Sequence, residues 1–333
     1  MNTVALLERR QVWFYLAAMA LGVTVGLLAP ATAPIWAAAI TPVLAVLLWA
    51  TFLGVPLIDL PRAFHDIRFL ATVLIVNFGF VPLLVFGLTR FVAGNQAVLI
   101  GVLLVLLTPC VDYVIVFTCL AGGARDRLLA AAPLLMLLQM LLLPGYLWLF
   151  LGPDGAALIA LGPFLQAFLV LIALPLAAAA LVQALSRGTR PRARSVSRRI
   201  DASLTAMMVP LLMLTLFVVI AAQIHAVGAE LRVVLGVIPV YAGFLVIMLG
   251  AGLFASRLAR LDVPATRAVV FSGATRNSLV VLPLALALPP ALSLAPLVVV
   301  TQTLVELVGM VVFVRLVPWL TRARPAACAR AAS

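Results

Sequence analysis

The 333-residue sequence lacks most of what a protein surface needs in water. Charged residues make up 10% of the chain, against about a quarter in soluble domains. Lysine is absent, so that all 22 basic residues are arginine, and 66% of the chain is hydrophobic. Because a chain of this composition cannot cover a folded surface with polar groups, the sequence predicts a surface that faces lipid.

Cysteine and histidine are also scarce. Cys110, Cys119 and Cys328 are too few for a disulfide framework and form no CxxC pair, and two histidines do not supply a His/Cys zinc site. The sequence contains no HExxH segment, no GxGD-type aspartate pair and no acidic cluster for magnesium diphosphate, which argues against an intramembrane enzyme. We therefore expect neither a metal centre nor a cofactor.

The net charge of +12 does not indicate a nucleic-acid partner, because no basic patch is interleaved with aromatic residues. The arginines instead lie in short clusters between apolar stretches of about 20 residues, a length that crosses the hydrocarbon core of a bilayer as one helix. Apolar runs bounded by arginine, proline and glycine predict ten spans, near residues 11–29, 35–58, 69–92, 96–120, 128–151, 157–184, 204–226, 232–255, 266–288 and 292–318.

The distribution of arginine predicts the orientation of these spans. If the N-terminus lies inside, the outside segments hold only Arg90 and Arg232. Basic residues accumulate in cytoplasmic loops, so we expect a multi-pass protein of the cell membrane, plasma or inner, with both termini in the cytoplasm. The segments predicted to lie inside hold Arg9, Arg10, Arg62, Arg68, Arg125, Arg127, the arginines from 187 to 199, Arg257, Arg260, Arg267 and the C-terminal arginines.

Ten spans divide into two units of five. Because five is odd, a duplicated five-span unit enters the membrane upside down in its second copy, as in the inverted repeats of many transporters. We place the repeat boundary near residues 152–157. Residues 1–186 then hold the first repeat, the sixth span and the start of the largest inside loop, and residues 187–333 hold the remainder of the second repeat. The predicted fold is a single all-α polytopic membrane domain.

Polar, helix-breaking residues lie at matching places in the fourth and ninth spans. The fourth reads GVLLVLLTPCVDYVIVFTCLAGG around Pro109, which removes a backbone donor and clashes with the preceding turn. The ninth reads VVFSGATRNSLVVLPLALALP and is polar around Thr275. Polar backbone at membrane depth is tolerated where it is buried in protein or lines a cavity. Both spans are therefore predicted to be broken and to cross at mid-membrane. The crossing would bring together Thr108, Cys110, Asp112, Arg276, Asn277 and Ser278.

Three charged side chains are predicted to lie inside the membrane: Asp112, Arg276 and Glu306. Each costs at least roughly 2.5–3.5 kcal/mol on insertion scales, and such residues are kept where they pair or function. Asp112 and Arg276 could form a salt bridge that braces the broken helices, an arrangement compatible with a nearby substrate site. Glu306 has no basic residue within a helical turn. It could exchange a proton, or it could stay protonated and bonded to a backbone carbonyl.

Uncharged polar residues near the breaks also have two interpretations. Cys110 directly follows Pro109, where a thiol could meet a substrate, although an isolated buried cysteine usually acts as a small hydrophobic residue. Cys119 lies near the opposite helix face and is predicted to pack. Hydroxyl and amide side chains could bind a neutral polyol-like solute or satisfy the broken backbone; they are Thr108, Thr275, Asn277, Ser278, Thr301 and Gln302.

The segment TPCVDYVIVF resembles the motif of Ala or Thr, Pro and Cys in arsenite efflux permeases of the arsenical-resistance type, which belong to the bile acid:sodium symporter superfamily. The resemblance covers nearly the whole chain and implies inverted repeats with crossed fourth and ninth helices. It also implies a secondary transporter that exports arsenite, and in some members antimonite, with the proton as coupling ion. The family's fourth-span cysteine, required for transport, falls on Cys110, and its tenth-span glutamate falls on Glu306.

The ninth span departs from the pattern of these permeases. Ser272 and Arg276 stand where the sodium-coupled relatives carry acidic and amide sodium ligands, and a fixed guanidinium there argues against sodium coupling. A soft thiolate suits As(III) better than a hard cation or carboxylate, so the chemistry agrees with arsenite efflux by proton antiport. The alternative is a transporter of a small organic anion, in which the planar guanidinium of Arg276 binds the carboxylate.

Each candidate residue therefore has a predicted role. Glu306 would couple the proton, and Arg276 and Pro109 would be structural or charge-pairing residues. The expected partners are a small inorganic or organic solute, the lipid bilayer and the proton, and the sequence indicates no oligomeric state. The predicted substrate-binding residues are Cys110, Thr108, Asp112, Asn277 and Ser278.

Overall fold

The structure is a computed structural model that describes residues 3–54, 64–111, 113–157, 169–187 and 207–321. These residues form helices and no β-strand, as expected for a backbone that must satisfy its hydrogen bonds within lipid. The helices are α1 (Thr3–Leu28), α2 (Ala33–Gly54), α3 (Ile67–Leu74), α4 (Val81–Thr89), α5 (Gln96–Leu106), α6 (Tyr113–Leu120), α7 (Arg125–Ala157), α8 (Leu174–Arg187), α9 (Met208–Ala229), α10 (Leu231–Leu258), α11 (Val263–Ala274), α12 (Ser278–Leu286) and α13 (Ala295–Leu320).

Two π-helical segments adjoin these helices. A π-helical segment, Ile75–Phe80, connects α3 to α4, and a second, Leu169–Ala173, precedes α8. Within α7, Gly152 has a φ of 69°, a backbone conformation that glycine adopts without strain. Gly152 lies at the edge of the predicted repeat boundary, which itself stays a prediction.

Apolar helices dominate the described part of the chain and make this an all-α, multi-pass membrane protein. Five helical segments are long and apolar enough to cross a bilayer, and four further apolar helices are shorter, with 10–17 residues. The count of ten spans and the inverted repeat stay predictions. The five long segments are Pro30–Leu53, Ile67–Thr89, Arg125–Gly152, Leu231–Leu258 and Ala295–Leu320.

One group of helices is formed by α1, α2, α8 and α9. Helix α9 packs between α1 and α2, and α2 also contacts α8. Two glycines allow α1 to approach α9 closely: a Cβ added at Gly22 would lie 2.9 Å from the carbonyl oxygen of Phe217, and one at Gly26 would lie 2.9 Å from that of Ala221. Small residues at such contacts are typical of helices that associate in membranes.

The remaining helices surround two short pairs, α5 with α6 and α11 with α12. Helix α13 packs on α5, α12 and α10, and α10 packs on α11. Helix α5 contacts α12 while α6 contacts α11, which is the arrangement of two crossed, interrupted helices. Gly101 in α5 makes the contact with α13 close, because an added Cβ would lie 2.9 Å from the carbonyl oxygen of Ala295.

Several helix ends meet at one end of the structure. Arg127, at the start of α7, forms ion pairs with Asp66 at 3.0 Å and with Asp262 at 2.9 Å. The two aspartates cap the first turns of α3 and α11. Arg267 donates from Nε to the Thr321 hydroxyl at the end of α13, at 2.8 Å. The structure thus gathers at one end several segments that the arginine distribution assigns to the same side of the membrane.

Some predicted features lie outside the described residues. They include Asp112, the part of the sixth span before residue 169, most of the arginine-rich inside loop, Arg62, Cys328 and the C-terminal arginines.

Candidate functional site

Two helices are interrupted at the centre of the structure. Helices α5 and α6 are separated by residues 107–112, and α11 and α12 are separated by residues 275–277. The unwound segments meet in a single antiparallel bridge between Pro109 and Arg276. The interruptions thus lie where proline and the polar residues predicted them, and we call this meeting point the crossing.

Backbone hydrogen bonds join the two unwound segments. The amide of Asn277 donates to the carbonyl oxygen of Thr108 at 2.8 Å, and the amide of Cys110 donates to the carbonyl oxygen of Thr275 at 3.3 Å. Buried backbone groups need such partners, and here each broken helix supplies them to the other. A movement of one segment therefore breaks bonds to the other.

Most polar side chains at the crossing also serve the local backbone. The Thr108 hydroxyl donates to two carbonyl oxygens of the preceding turn, at 3.0 and 3.1 Å. The Asn277 side chain caps α12 by accepting from the amide of Val280, and the Ser278 hydroxyl accepts from that of Thr303 at 2.7 Å. The Nδ2 group of Asn277 is buried and has no hydrogen-bond partner among the described residues. Asn277 therefore retains a donor that a solute could use.

The two cysteines of this region lie in different surroundings. Cys110 is fully buried at the crossing, directly after Pro109, so its thiol lies in the unwound segment. Cys119, near the end of α6, is exposed. The prediction that Cys119 packs is therefore wrong, because its side chain is exposed in the described structure.

Glu306 of α13 reaches the crossing. Its Oε1 accepts a hydrogen bond of 2.6 Å from the Tyr113 hydroxyl, and its Oε2 accepts one of 2.8 Å from the backbone amide of Arg276. Gln302, one turn earlier in α13, donates to Oε2 as well. Although no basic residue lies within a helical turn of Glu306, its carboxyl is therefore not unpaired, because three groups from different helices or segments bind it. Sequence reasoning did not single out Tyr113, although a polar side chain within the apolar TPCVDYV stretch could have indicated a role at the site.

Arg276 is fully buried, and its guanidinium is bound by oxygen atoms of the protein. Nη2 donates to an amide oxygen at 2.7 Å and to two carbonyl oxygens at 2.6 and 3.0 Å, while Nη1 donates to a third carbonyl oxygen at 3.3 Å. Nε has no hydrogen-bond partner among the described residues. The side-chain acceptor is Asn77, and the carbonyl acceptors are Gly273, Ser272 and Leu106.

Asn77 connects a third element to the crossing. It lies in the π-helical segment Ile75–Phe80 and is 1% exposed. Its Nδ2 donates to the Ser272 hydroxyl at 3.1 Å and to the carbonyl oxygen of Val73 at 3.0 Å, which orients its Oδ1 toward Arg276. No local pattern in the sequence indicates this role, since Ser272 and Arg276 are almost 200 residues away.

A small cavity lies beside the crossing, between α9, α12 and α13. Its wall is mostly aliphatic, with Leu216, Leu282 and Val299 among its side chains, and Ser278 and Thr303 also line it. Within the described part of the chain, no group of three His, Cys, Asp or Glu residues could hold a metal ion. The region therefore offers one thiol, one carboxyl, hydroxyls and an amide donor rather than a multidentate metal site.

A family model described as the Sodium Bile acid symporter family matches residues 41–230, which is more than half of the chain. The matched segment includes the first unwound segment with Cys110 and ends before the second. No individual curated protein matches the chain.

Proposed function

The chain belongs to the sodium bile acid symporter family, and on that premise we propose that it exports arsenite from the cell in exchange for protons. Members of this family are transporters of small solutes and not enzymes. We further propose ten spans in two inverted five-helix repeats, with both termini in the cytoplasm.

The observation that carries this proposal is the place of Cys110. Its thiol is buried in the unwound segment, and its backbone amide is bonded to Thr275 of the other broken helix. Sulfur is a soft ligand that suits trivalent arsenic. One thiol forms a contact that exchanges readily, whereas three would hold arsenic too tightly for turnover. A single cysteine in an unwound segment is thus suited to transport of arsenic rather than to its storage.

Neutral arsenous acid also carries hydroxyl groups that need hydrogen-bond partners. Asn277 offers a buried Nδ2 donor without another partner among the described residues, and the cavity beside it is lined by Ser278 and Thr303. Binding of a hydroxyl-bearing solute would satisfy the Nδ2 group of Asn277, and an unsatisfied buried donor costs roughly 1–3 kcal/mol.

Glu306 supplies a physical route from proton binding to movement of the crossing. Its carboxylate binds the backbone amide of Arg276 and the hydroxyl of Tyr113, which come from the two broken helices. Hydrogen bonds to an ionised carboxylate are roughly twice as strong as those to a neutral group. Protonation of Glu306 would weaken both contacts and release the segments, so that proton binding on one side of the membrane favours a different arrangement of the crossing.

The alternative, transport of an organic anion bound by Arg276, is less well supported. The Nη1 and Nη2 atoms already donate to four protein oxygens, and the side chain is fully buried. A substrate carboxylate would have to displace these oxygens, and each displaced group would lose its own partner. The family name is the observation that favours an organic anion.

Arsenite accumulation in cells tests the proposal. Cells without their own arsenite exporter would be compared with and without the protein, and with Cys110→Ser at equal expression. We expect lower accumulation in cells with the wild-type protein, and accumulation equal to that of empty cells with Cys110→Ser. If wild-type protein in the membrane leaves accumulation unchanged, arsenite is not the substrate and uptake of small carboxylates becomes the next assay.

A further inference from the structure

The carbonyl ends of two broken helices point at one place in this protein. Helices α5 and α11 both end at the crossing, and the C-terminal end of a helix carries the equivalent of about half a negative charge. In transporters with broken helices, such ends and the unwound carbonyls beside them coordinate sodium ions or protons. The family to which the chain belongs takes its name from sodium transport.

The oxygen atoms at the crossing already surround a cation, the guanidinium of Arg276. The carbonyl oxygens of Leu106, Ser272 and Gly273 lie 2.6–3.3 Å from the guanidinium nitrogens of Arg276, and Oδ1 of Asn77 lies 2.7 Å from Nη2. Leu106 and Gly273 belong to the last turns of α5 and α11. Four neutral oxygens around a positive charge form the ligand set of a monovalent cation, here occupied by a side chain.

Other contacts hold the guanidinium in position. The carbon atom at its centre lies 5.3 Å from the ring centroid of Phe244, within the range of a cation–π interaction. Asn77 is fixed by its own bonds to Ser272 and Val73, and the backbone of Arg276 is anchored to Glu306. A buried charge is costly unless it is paired and hydrogen-bonded, and these oxygens meet that requirement without a counter-ion in contact with the guanidinium among the described residues.

We infer that the guanidinium of Arg276 permanently fills a monovalent cation site at the crossing, so that the protein carries its own cation where a sodium-coupled transporter would bind a sodium ion. The residues present do not fit a sodium ion while Arg276 is in place. Removal of the side chain should leave an oxygen-lined site that accepts sodium. The inference rests on the role of the chain as a transporter and not on arsenite as the substrate.

Thermal unfolding of the purified full-length protein tests this directly. Wild type, Arg276→Ser and Arg276→Met would be compared in sodium chloride and in choline chloride at the same ionic strength. Serine vacates the site, whereas methionine fills the volume without a charge and is the matched control. We expect a wild-type Tm that is equal in the two salts, and a saturable rise of about 2–4 °C with sodium for Arg276→Ser. Arg276→Met should be destabilised and show no response to sodium.

Free guanidinium is a second probe. At millimolar concentration, guanidinium chloride should raise the Tm of Arg276→Ser and leave wild type and Arg276→Met unchanged. A saturable, sodium-specific rise for the wild type would overturn the inference, as would an Arg276→Ser protein that folds and responds to neither cation.

If Arg276→Ser does not fold, the Tm of Arg276→Lys in the two salts tests the inference instead, because lysine retains a cation at the same position. A folded Arg276→Lys protein that ignores sodium supports the inference, and a sodium response in that variant overturns it. None of these readings uses arsenite, so failure here and failure of the proposed function can be told apart.

Discussion

Cys110 and Cys119 lie nine residues apart in opposite surroundings, the first buried at the crossing and the second exposed. Serine keeps the size of cysteine and a hydrogen-bonding group but loses the soft sulfur. We therefore expect Cys110→Ser to abolish arsenite resistance and Cys119→Ser to leave it intact. Growth of cells across a series of arsenite concentrations, at equal amounts of membrane-inserted protein, measures both.

Resistance at the wild-type level in Cys110→Ser would show that sulfur does not bind the solute. Hydrogen bonding of neutral arsenous acid by Thr108, Asn277 and Ser278 would then be the better account. Loss of resistance in both cysteine variants would point to a general requirement for the helix rather than to a ligand.

Glu306 is the residue on which coupling depends in the proposed exchange of arsenite for protons. Glu306→Gln keeps the size of the side chain but cannot release a proton, and its amide group would face the donors Tyr113 and Gln302. We expect this variant to bind arsenite and to lose transport driven by a pH gradient. Arsenite uptake into everted membrane vesicles, followed while the gradient is collapsed, measures the effect.

Tyr113→Phe is the matched control for Glu306, because it removes one hydrogen bond to the carboxylate and leaves the carboxyl able to titrate. It should slow transport while keeping the response to the gradient. Gradient-driven uptake by Glu306→Gln at the wild-type rate would assign Glu306 to structure alone.

The sequence predicted the unusual residues of the site but not most of their partners. Cys110, Arg276 and Glu306 stand out because a thiol, a base and an acid are rare within apolar runs. Asn77 and Tyr113 become important only through contacts with residues more than 160 positions away, and no local pattern records such a contact. Asp112, whose pairing with Arg276 was one of two interpretations of the sequence, lies outside the described residues, so that the pairing is untested.

At the scale of secondary structure, two asparagine caps give a controlled comparison. Asn277 caps α12 at the crossing, and Asn95 caps α5 at its exposed start by accepting from the amide of Val98 at 3.2 Å. Replacing either by alanine should lower stability by roughly 0.5–2 kcal/mol, which thermal unfolding measures. Only Asn277→Ala should also slow arsenite transport, because its Nδ2 donor is available to the solute.

Equal loss of transport in Asn95→Ala and Asn277→Ala would mean that helix stability alone limits transport. Transport unchanged in Asn277→Ala would remove this asparagine from the solute site.

The broken helices could be predicted because their causes are local. Pro109 and the polar stretch around Thr275 act on the turns that contain them, so the sequence indicates the breaks directly. The π-helical segment Ile75–Phe80 has no comparable signal, although it orients Asn77. The packing of α1 against α9 was equally hidden, since it depends on small residues such as Gly26 that meet a helix about 200 residues later.

At the scale of the whole molecule, orientation in the membrane can be tested by labelling. Gly94 lies between α4 and α5, on the predicted outside, and Arg257 lies in the last turn of α10, on the predicted inside; both are exposed. In a chain with Cys119 and Cys328 replaced by serine, a membrane-impermeant maleimide should label Gly94→Cys in intact cells. It should label Arg257→Cys only after permeabilisation. The reverse labelling pattern would show that the protein has the opposite orientation in the membrane.

The sequence predicted the membrane environment and the grouping of helix ends for a physical reason. Charged residues are excluded from the hydrocarbon core, so arginine marks the ends of spans, and the pairs of Arg127 with Asp66 and Asp262 join ends predicted to share one side. The distribution of charge does not indicate whether the two halves of the chain share one fold. An inverted repeat is a property of backbone paths, which two diverged sequences need not display.

The most direct test of the central claim is transport by the purified protein in sodium-free liposomes that are acidic inside. With the membrane potential clamped by potassium and valinomycin, an arsenite–proton antiporter should accumulate neutral arsenous acid in the lumen, by about tenfold per pH unit for one-for-one exchange, and a protonophore should abolish the accumulation. Cys110→Ser should show none. Arsenite that only equilibrates across the membrane, or that accumulates equally with Cys110→Ser, would contradict the account.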